Sequence, residues 1–377
     1  MHNPDLITAE FGDISAYQDC PDFWLVKPEQ SRDHLASLNN ATIKEIGRSA
    51  GDREILVIEY GEKEDIGATT DNLQSAIAAK VVPADPTDIF PEAFYGTRRR
   101  KQPSVVLQGG IHGGELTGTA AMLNLCELLE RGRDLRGREW PRLTELAAQT
   151  RLCMIPWLNP DGTARWPIPN TSGVSPKLYN FCQHGISLDG SPYVYPAVKS
   201  IAPIPPEKTA YMGSYYNDNG VNLQYDFHMP HRQPETVAWM DYYLEERPDG
   251  VMVDHCNAGT LISNPEYYLP PGFQHEQSRL GGAVRRRLQR EGLYVGRLSW
   301  AGIPGMGKPG LNQVGAIYLA CGAMPILVEY PMGGGSKTLS CDEMLDIGLY
   351  TLEEMLEYAH SDGLRPYELW EKVRSGR

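Results

Sequence analysis

No apolar stretch in this chain approaches the roughly 20 residues that a bilayer-spanning helix needs. Its opening, MHNPDLITAEFGDIS, has neither the basic n-region nor the apolar h-region of a secretory leader. Both absences favour a cytoplasmic protein with no membrane partner. Positive charge is scarce: 35 Lys and Arg face 48 Asp and Glu, a net charge of −13. That balance argues against a nucleic-acid partner. The one dense basic run, TRRRK from Thr97 to Lys101, reads as a solvated loop before a strand. The seven cysteines are odd in number and form no CxxC pair, so no disulfide framework is expected. Cys126, Cys153 and Cys321 lie in apolar surroundings and read as small core residues. Cys256 lacks the local Cys/His signature of a nucleophile. Internal repeats and low-complexity tracts are absent.

What is present is a chain of 377 residues, 41% of them hydrophobic, enough for a sizeable core. TIKEIGRS and REILVIEYG read as two strands joined by a turn at Gly51 and Asp52. A long polar connection follows from Glu62 to Gln102, with a helix over about Asn72–Lys80. Beyond it, SVVLQGG, RLCMIPWLNP, GVMVDHC and MPILVEYP are buried strands. ELTGTAAMLNLCELLERG, PETVAWMDYYLEER, GGAVRRRLQREG and SCDEMLDIGLYTLEEMLEYAH are helices. This alternation predicts an α/β sheet covered on both faces, with no boundary that would split residues 1–377 into two domains. From Thr163 to Gly220 the sequence is dense in Pro, Gly, Tyr and Ser and reads as a loop-rich insertion. Its aromatics, among them Trp166, Tyr179, Tyr195, Tyr211 and Tyr215, point to an ordered surface.

Four polar residues share one kind of address, at or just beyond the C-terminal end of an apolar strand. They are His112, Glu115, His255 and Glu329. Ligands of open α/β sheets bind beyond that edge. For Glu115 alone, a first-turn position facing the helix dipole is an ordinary structural explanation. Two histidines and one carboxylate, however, are also a standard catalytic zinc set that leaves one position for water. Glu329 is then placed to take that water's proton. Gly109, Gly110, Gly113 and Gly114 allow a tight turn and close approach around the pair. HxxE by itself is a weak signal, and Leu116 after Glu115 excludes HxxEH. Asn159 and Asp161 read as turn residues, and His228 and His231 as surface or substrate-contact residues.

The order of the pieces carries more weight. GGIHGGE, IPWLNPDG, GVNLQYDF, PETVA, GVMVDHC and MPILVEYP, preceded by IGRSAGDREILVIEYG, resemble the zinc carboxypeptidase (funnelin) family from about Ile46 to Tyr330. The resemblance implies a single α/β domain with a mixed, roughly eight-stranded sheet and helices on both faces. It implies one Zn²⁺ per chain on His112, Glu115 and His255, Glu329 as general base, and an arginine at the oxyanion. Arg165 is the nearest arginine after the Asn-Pro-Asp-Gly turn.

One segment departs from the family. Where the family carries Asp, then Asn-Arg, this chain has Asn222, then Gln224 and Tyr225. No cation stands there to clamp a terminal carboxylate. Asn222 can still accept the ring N–H of His112, though it raises ligand basicity less than a carboxylate. Three readings follow. The first is a carboxypeptidase-like peptidase in which Arg165, Arg232 or Lys308 replaces the missing arginine. The second is a zinc amidase or deacylase acting on a small N-acyl amine or amino acid, as in the aspartoacylase-like branch. The third is a binding protein that keeps the fold without catalysis. From Gln224 and Tyr225 alone, substrates with a free C-terminal carboxylate are expected to be poor.

Overall fold

A computed structural model of the chain describes residues 5–67, 98, 100–195, 197–200, 203–257, 269, 271–294, 312–334 and 337–361. In chain order its elements are α1 (Asp5–Phe11), α2 (Pro28–Ala36), β1 (Thr42–Arg48), β2 (Glu54–Tyr60), β3 (Ser104–Gln108) and α3 (Thr117–Arg131). Next come α4 (Pro141–Ala148), β4 (Arg151–Ile155), α5 (Pro160–Arg165), α6 (Pro176–His184), β5 (Gly185–Ser187) and β6 (Thr209–Met212). The last are α7 (Pro234–Glu246), β7 (Gly250–Asn257), α8 (Pro271–Arg290), α9 (Gln313–Cys321), β8 (Met324–Pro331) and α10 (Cys341–His360). The expected helix over 72–80 lies outside the described residues.

Local chemistry sets the boundaries. Proline, whose fixed φ suits a first helical turn, opens α4, α5, α6 and α7. Gly132 and Gly322 end α3 and α9 in the left-handed region. Ser340 and Glu343 form a reciprocal capping box on α10. The predicted turn at Gly51 and Asp52 joins β1 to β2, with Asp52 at φ 60°.

The main sheet has six strands in the order β1-β2-β4-β3-β7-β8. β2 runs antiparallel to β1 and β4, whereas β4, β3, β7 and β8 are mutually parallel. β5 and β6 form a separate antiparallel pair. Among the described residues the strands number eight, six in the main mixed sheet and two in the smaller pair. β3, β4 and the body of β7 are buried throughout, as strands covered on both faces must be. One core cluster packs residues of α3, α4, α8 and α10 on one face of the sheet. The second packs Trp239, Tyr242 and Tyr243 of α7 with Val314 and Ile317 of α9 on the other.

β3 lies between β4 and β7, so the chain crosses from β3 to β4 in one direction and then returns past β3 to β7 in the other. Such a switch point opens a crevice at the carboxyl ends of the strands. The segment from 163 to 220, expected as loop, contains α6 and the β5–β6 pair. The basic run is only partly solvated. Arg98 is exposed and pairs with Asp65, but Arg100 is largely buried, 3.2 Å from Asp249 and bonded to the carbonyls of Glu246 and Arg247. All seven cysteines are free thiols. Among the described residues, no helix is long and apolar enough to cross a membrane.

Candidate metal centre

The loop after β3 brings the first two candidate ligands together. Gly110 turns the chain at φ 63°. Gly113 lies so close to the Gly162–Thr163 backbone that a Cβ there would fall 2.0 Å from the Gly162 carbonyl carbon. The Glu115 N–H donates to the His112 carbonyl at 3.0 Å, closing a turn that sets the two side chains side by side. α3 starts only at Thr117, with Leu116 as N-cap and no acidic residue in its first turn. Glu115 is therefore not a first-turn residue complementing the helix dipole. It faces the histidines instead.

The third candidate, His255, sits near the end of β7, where it pairs in register with Glu329 of β8. Parallel pairing puts both side chains on one face of the sheet. His112 Nδ1 lies 2.9 Å from Glu115 Oε1, and His255 Nδ1 lies 2.9 Å from Glu115 Oε2. The three residues are buried, and their candidate ligand atoms lie within 4.8 Å of one another.

The tautomers bear on whether a metal fits. His112 Nε2 is 3.2 Å from Asn222 Oδ1, which also accepts the Gln224 N–H at 3.0 Å. The Gln224 N–H fixes that atom as the amide oxygen, an acceptor, so Nε2 carries a proton. A neutral His112 ring then turns a lone pair on Nδ1 towards a carboxylate oxygen. Something positive must lie between them, and His255 Nδ1 faces the other oxygen of the same carboxylate at 2.9 Å. A single divalent cation meets that demand, and two imidazoles with one carboxylate form a donor set suited to zinc.

The electrostatics of His112, Glu115 and Glu329 agree. Burial works against the Glu115 carboxylate, but the rings of His112 and His255 outweigh it and hold its pKa at about 2. Burial lowers the pKa of His112, keeping the ring neutral as a ligand must be. Burial pushes the Glu329 carboxyl up to about 7, with Glu115 adding to the rise and His255 and Lys199 opposing it. A carboxyl in that range suits proton transfer near neutral pH. Burial also drives the Cys256 thiol well up, which leaves it a poor nucleophile.

A cavity of about 460 Å³ opens over this cluster. Its described lining includes His112, Glu115, His255, Glu329, Gln224 and Lys199. Gln224 thus reaches the cavity, Asn222 acts through His112, and Tyr225 lies behind Lys199, which stands 5.6 Å from its ring centroid. Arg165 is engaged elsewhere. It pairs with Asp218, bonds the Tyr216 carbonyl, and is absent from the described lining. Arg232 donates to the Phe227 carbonyl at 2.6 Å and is also absent from it, while Lys308 lies outside the described residues. His228 and His231 are exposed and do not line the cavity. Asn159 caps α5 through the Gly162 N–H at 2.9 Å and donates to the Ile111 carbonyl at 3.2 Å, tying its turn to the ligand loop. Asp161 is fully buried and anchors the β1–β2 turn through Ser49, Gly51 and Arg53.

Three residues of the site have no motif in the sequence. Gln183 donates to Glu115 Oε1 at 3.1 Å and accepts from Ser214, which fixes the carboxylate's orientation. Tyr215 stacks on His112 with centroids 3.7 Å apart. Lys199 brings a cation to the cavity. Only Tyr215 carried a signal, as part of the aromatic stretch.

The sequence model described as "Peptidase_M14: Zinc carboxypeptidase" matches residues 30–291. Over 82 residues the chain is 38% identical to the carboxypeptidase N catalytic chain of Rattus norvegicus, a match spanning 21% of this chain and 17% of that protein. A metallo-carboxypeptidase from Burkholderia cenocepacia is similar in fold, with a TM-score of 0.55 at 15% identity, covering 89% of this chain and 70% of that one. Bovine thrombin-activatable fibrinolysis inhibitor, in complex with tick carboxypeptidase inhibitor, aligns with a TM-score of 0.53 at 10% identity, over 91% of this chain and 100% of that one.

Proposed function

This chain belongs to the zinc carboxypeptidase family and is a zinc metallo-hydrolase; from that premise we propose that it cleaves a peptide or related amide bond in the cavity over His112, Glu115 and His255. We read residues 1–377 as one catalytic domain, with 163–220 as the segment that frames the site. The observation that carries the proposal is the convergence of a buried His-Glu-His cluster with a separate carboxyl, Glu329, in the same cavity.

His112, Glu115 and His255 would hold one Zn²⁺, which when bound acidifies water and polarises a carbonyl. The chain's own residues supply the rest. Asn222 holds the proton on His112 Nε2, so that Nδ1 presents a lone pair. Gln183 keeps the Glu115 carboxylate turned towards the histidines. Glu329, with its pKa raised to about 7, takes a proton from the attacking water and returns it to the leaving amine. Glu329→Gln is the test. Zinc content should stay at one per chain, while turnover of a peptide substrate falls about 10²–10⁴-fold. Wild-type turnover in this variant would remove Glu329 from the mechanism.

A further inference from the structure

Lys199 sits on a short 3-10 turn, Ala197–Ser200, within the aromatic stretch. Its ammonium lies 4.9 Å from the Tyr195 ring centroid and 5.6 Å from that of Tyr225. Rings connect this corner to the metal cluster: Tyr195 stacks near His184, His184 packs edge-on against Tyr215, and Tyr215 covers His112. Lys199 lines the same cavity as the candidate ligands and Glu329, and its charge acts on His112, His255 and Glu329. No described carboxylate lies within ion-pair distance of it.

A lysine in this position is unusual. Its long stem normally lets the ammonium reach water. Here the head is turned into a mainly aromatic corner of the cavity and stays charged. Burial works against the ammonium, yet Tyr225 and Tyr195 more than offset it and hold its pKa above the ordinary lysine value. Cation–π contact with two rings restrains the head without neutralising it. A partly desolvated positive charge with no acidic partner among the described residues, facing a cavity, lacks one thing, which is an anion.

Resting on the hydrolase reading above, we propose that Lys199 is the specificity-determining residue that binds a free carboxylate on the substrate, held in place by Tyr195 and Tyr225. Arg165 and Arg232 cannot serve, because each is bonded to other protein groups away from the described lining. An ammonium is a point charge rather than a planar fork, so it grips the carboxylate without imposing bidentate geometry. The carboxylate-poor specificity expected from Gln224 and Tyr225 is therefore reversed. The site favours a substrate that ends in a free acid, received by the cavity of about 460 Å³.

The test uses zinc-loaded protein and paired ligands. An N-blocked dipeptide with a free C-terminus is compared with its C-terminal amide in turnover. 3-Phenylpropanoate is compared with 3-phenylpropanamide in calorimetric binding. Wild type should prefer the acid at least tenfold in both. Lys199→Met should lower kcat/KM for the acid about 10–100-fold more than for the amide, the difference lying mainly in KM. It should still hold one zinc. Lys199→Arg should restore most of the preference. Should Lys199→Met fail to fold, Lys199→Gln carries the same comparison. Equal loss on acid and amide, or an acid preference that survives the loss of the ammonium, overturns the proposal. If no amide is hydrolysed yet the Lys199-dependent acid preference persists in binding, the hydrolase reading fails and the anion site stands.

Discussion

At the scale of single residues, the site depends on pairs rather than on isolated ligands. His112 is a usable ligand because Asn222 holds its far ring nitrogen. Removing such an outer partner typically costs 10–100-fold in metal affinity. Asn222→Leu should weaken zinc binding by about that factor, read by competition with a chromophoric chelator. Asn222→Asp, which raises the basicity of the ring, should tighten it. Unchanged affinity in both variants would mean that Asn222 does not act through His112. His112→Ala should abolish stoichiometric zinc altogether. The ligands were legible in the sequence because each sits at the end of a strongly apolar strand, among glycines or at a buried strand end. Gln183 and Lys199 were not. They come from a stretch with no period of its own, and only tertiary packing brings them to Glu115 and to the cavity.

At the scale of elements, the turn after β3 carries the strictest requirement. Gly113 packs against backbone, where a Cβ would meet the Gly162 carbonyl carbon at 2.0 Å and the Thr163 nitrogen at 2.1 Å. Backbone cannot swing aside as a side chain can, so Gly113→Ala must push the ligand loop away from α5. The expected cost is about 1–3 kcal/mol of stability, with zinc affinity falling alongside. Gly132→Ala provides the contrast. It lies at φ 73° with nothing within 4 Å, so it should cost about 1 kcal/mol through backbone strain alone and leave zinc binding intact. Thermal melts paired with zinc titrations would separate the two, and equal zinc affinity in both variants would count against a strained ligand loop. The long helices and buried strands were readable from their periods and caps. Helix α6 lies in the stretch that reads as loop-rich, although Ser175 and Pro176 form a cap-plus-proline start, and Ser175 accepts the Leu178 N–H at 3.2 Å. The density of Pro and Gly around it masked that signal.

At the scale of the whole molecule, buried polar groups away from the candidate ligands tie distant parts of the chain together, and one of them makes stability depend on pH. Glu235 opens α7, is fully buried, accepts the Ala50 N–H at 3.0 Å from the β1–β2 turn, and takes Asn217 as a further donor. Burial raises its pKa from 4.5 to about 7, with Asp161 adding to the rise. A carboxyl whose folded pKa is raised contributes stability that is fully present below the unfolded value. That contribution is lost as pH climbs through about 7. The wild-type protein should therefore lose stability between pH 5 and pH 8 by an amount on the order of 3 kcal/mol from this group. Glu235→Gln retains the oxygen that accepts from Ala50 and has no charge to bury. It should match wild type near pH 4.5 and be the more stable protein at pH 8, with a flatter curve between. Denaturant unfolding at several pH values, at fixed zinc, would measure it. A variant that is less stable than wild type at pH 8 would show that the charged carboxylate is favoured in the folded protein, through its hydrogen bonds to Ala50 and Asn217 and the positive end of α7, and the sign argued here would be wrong.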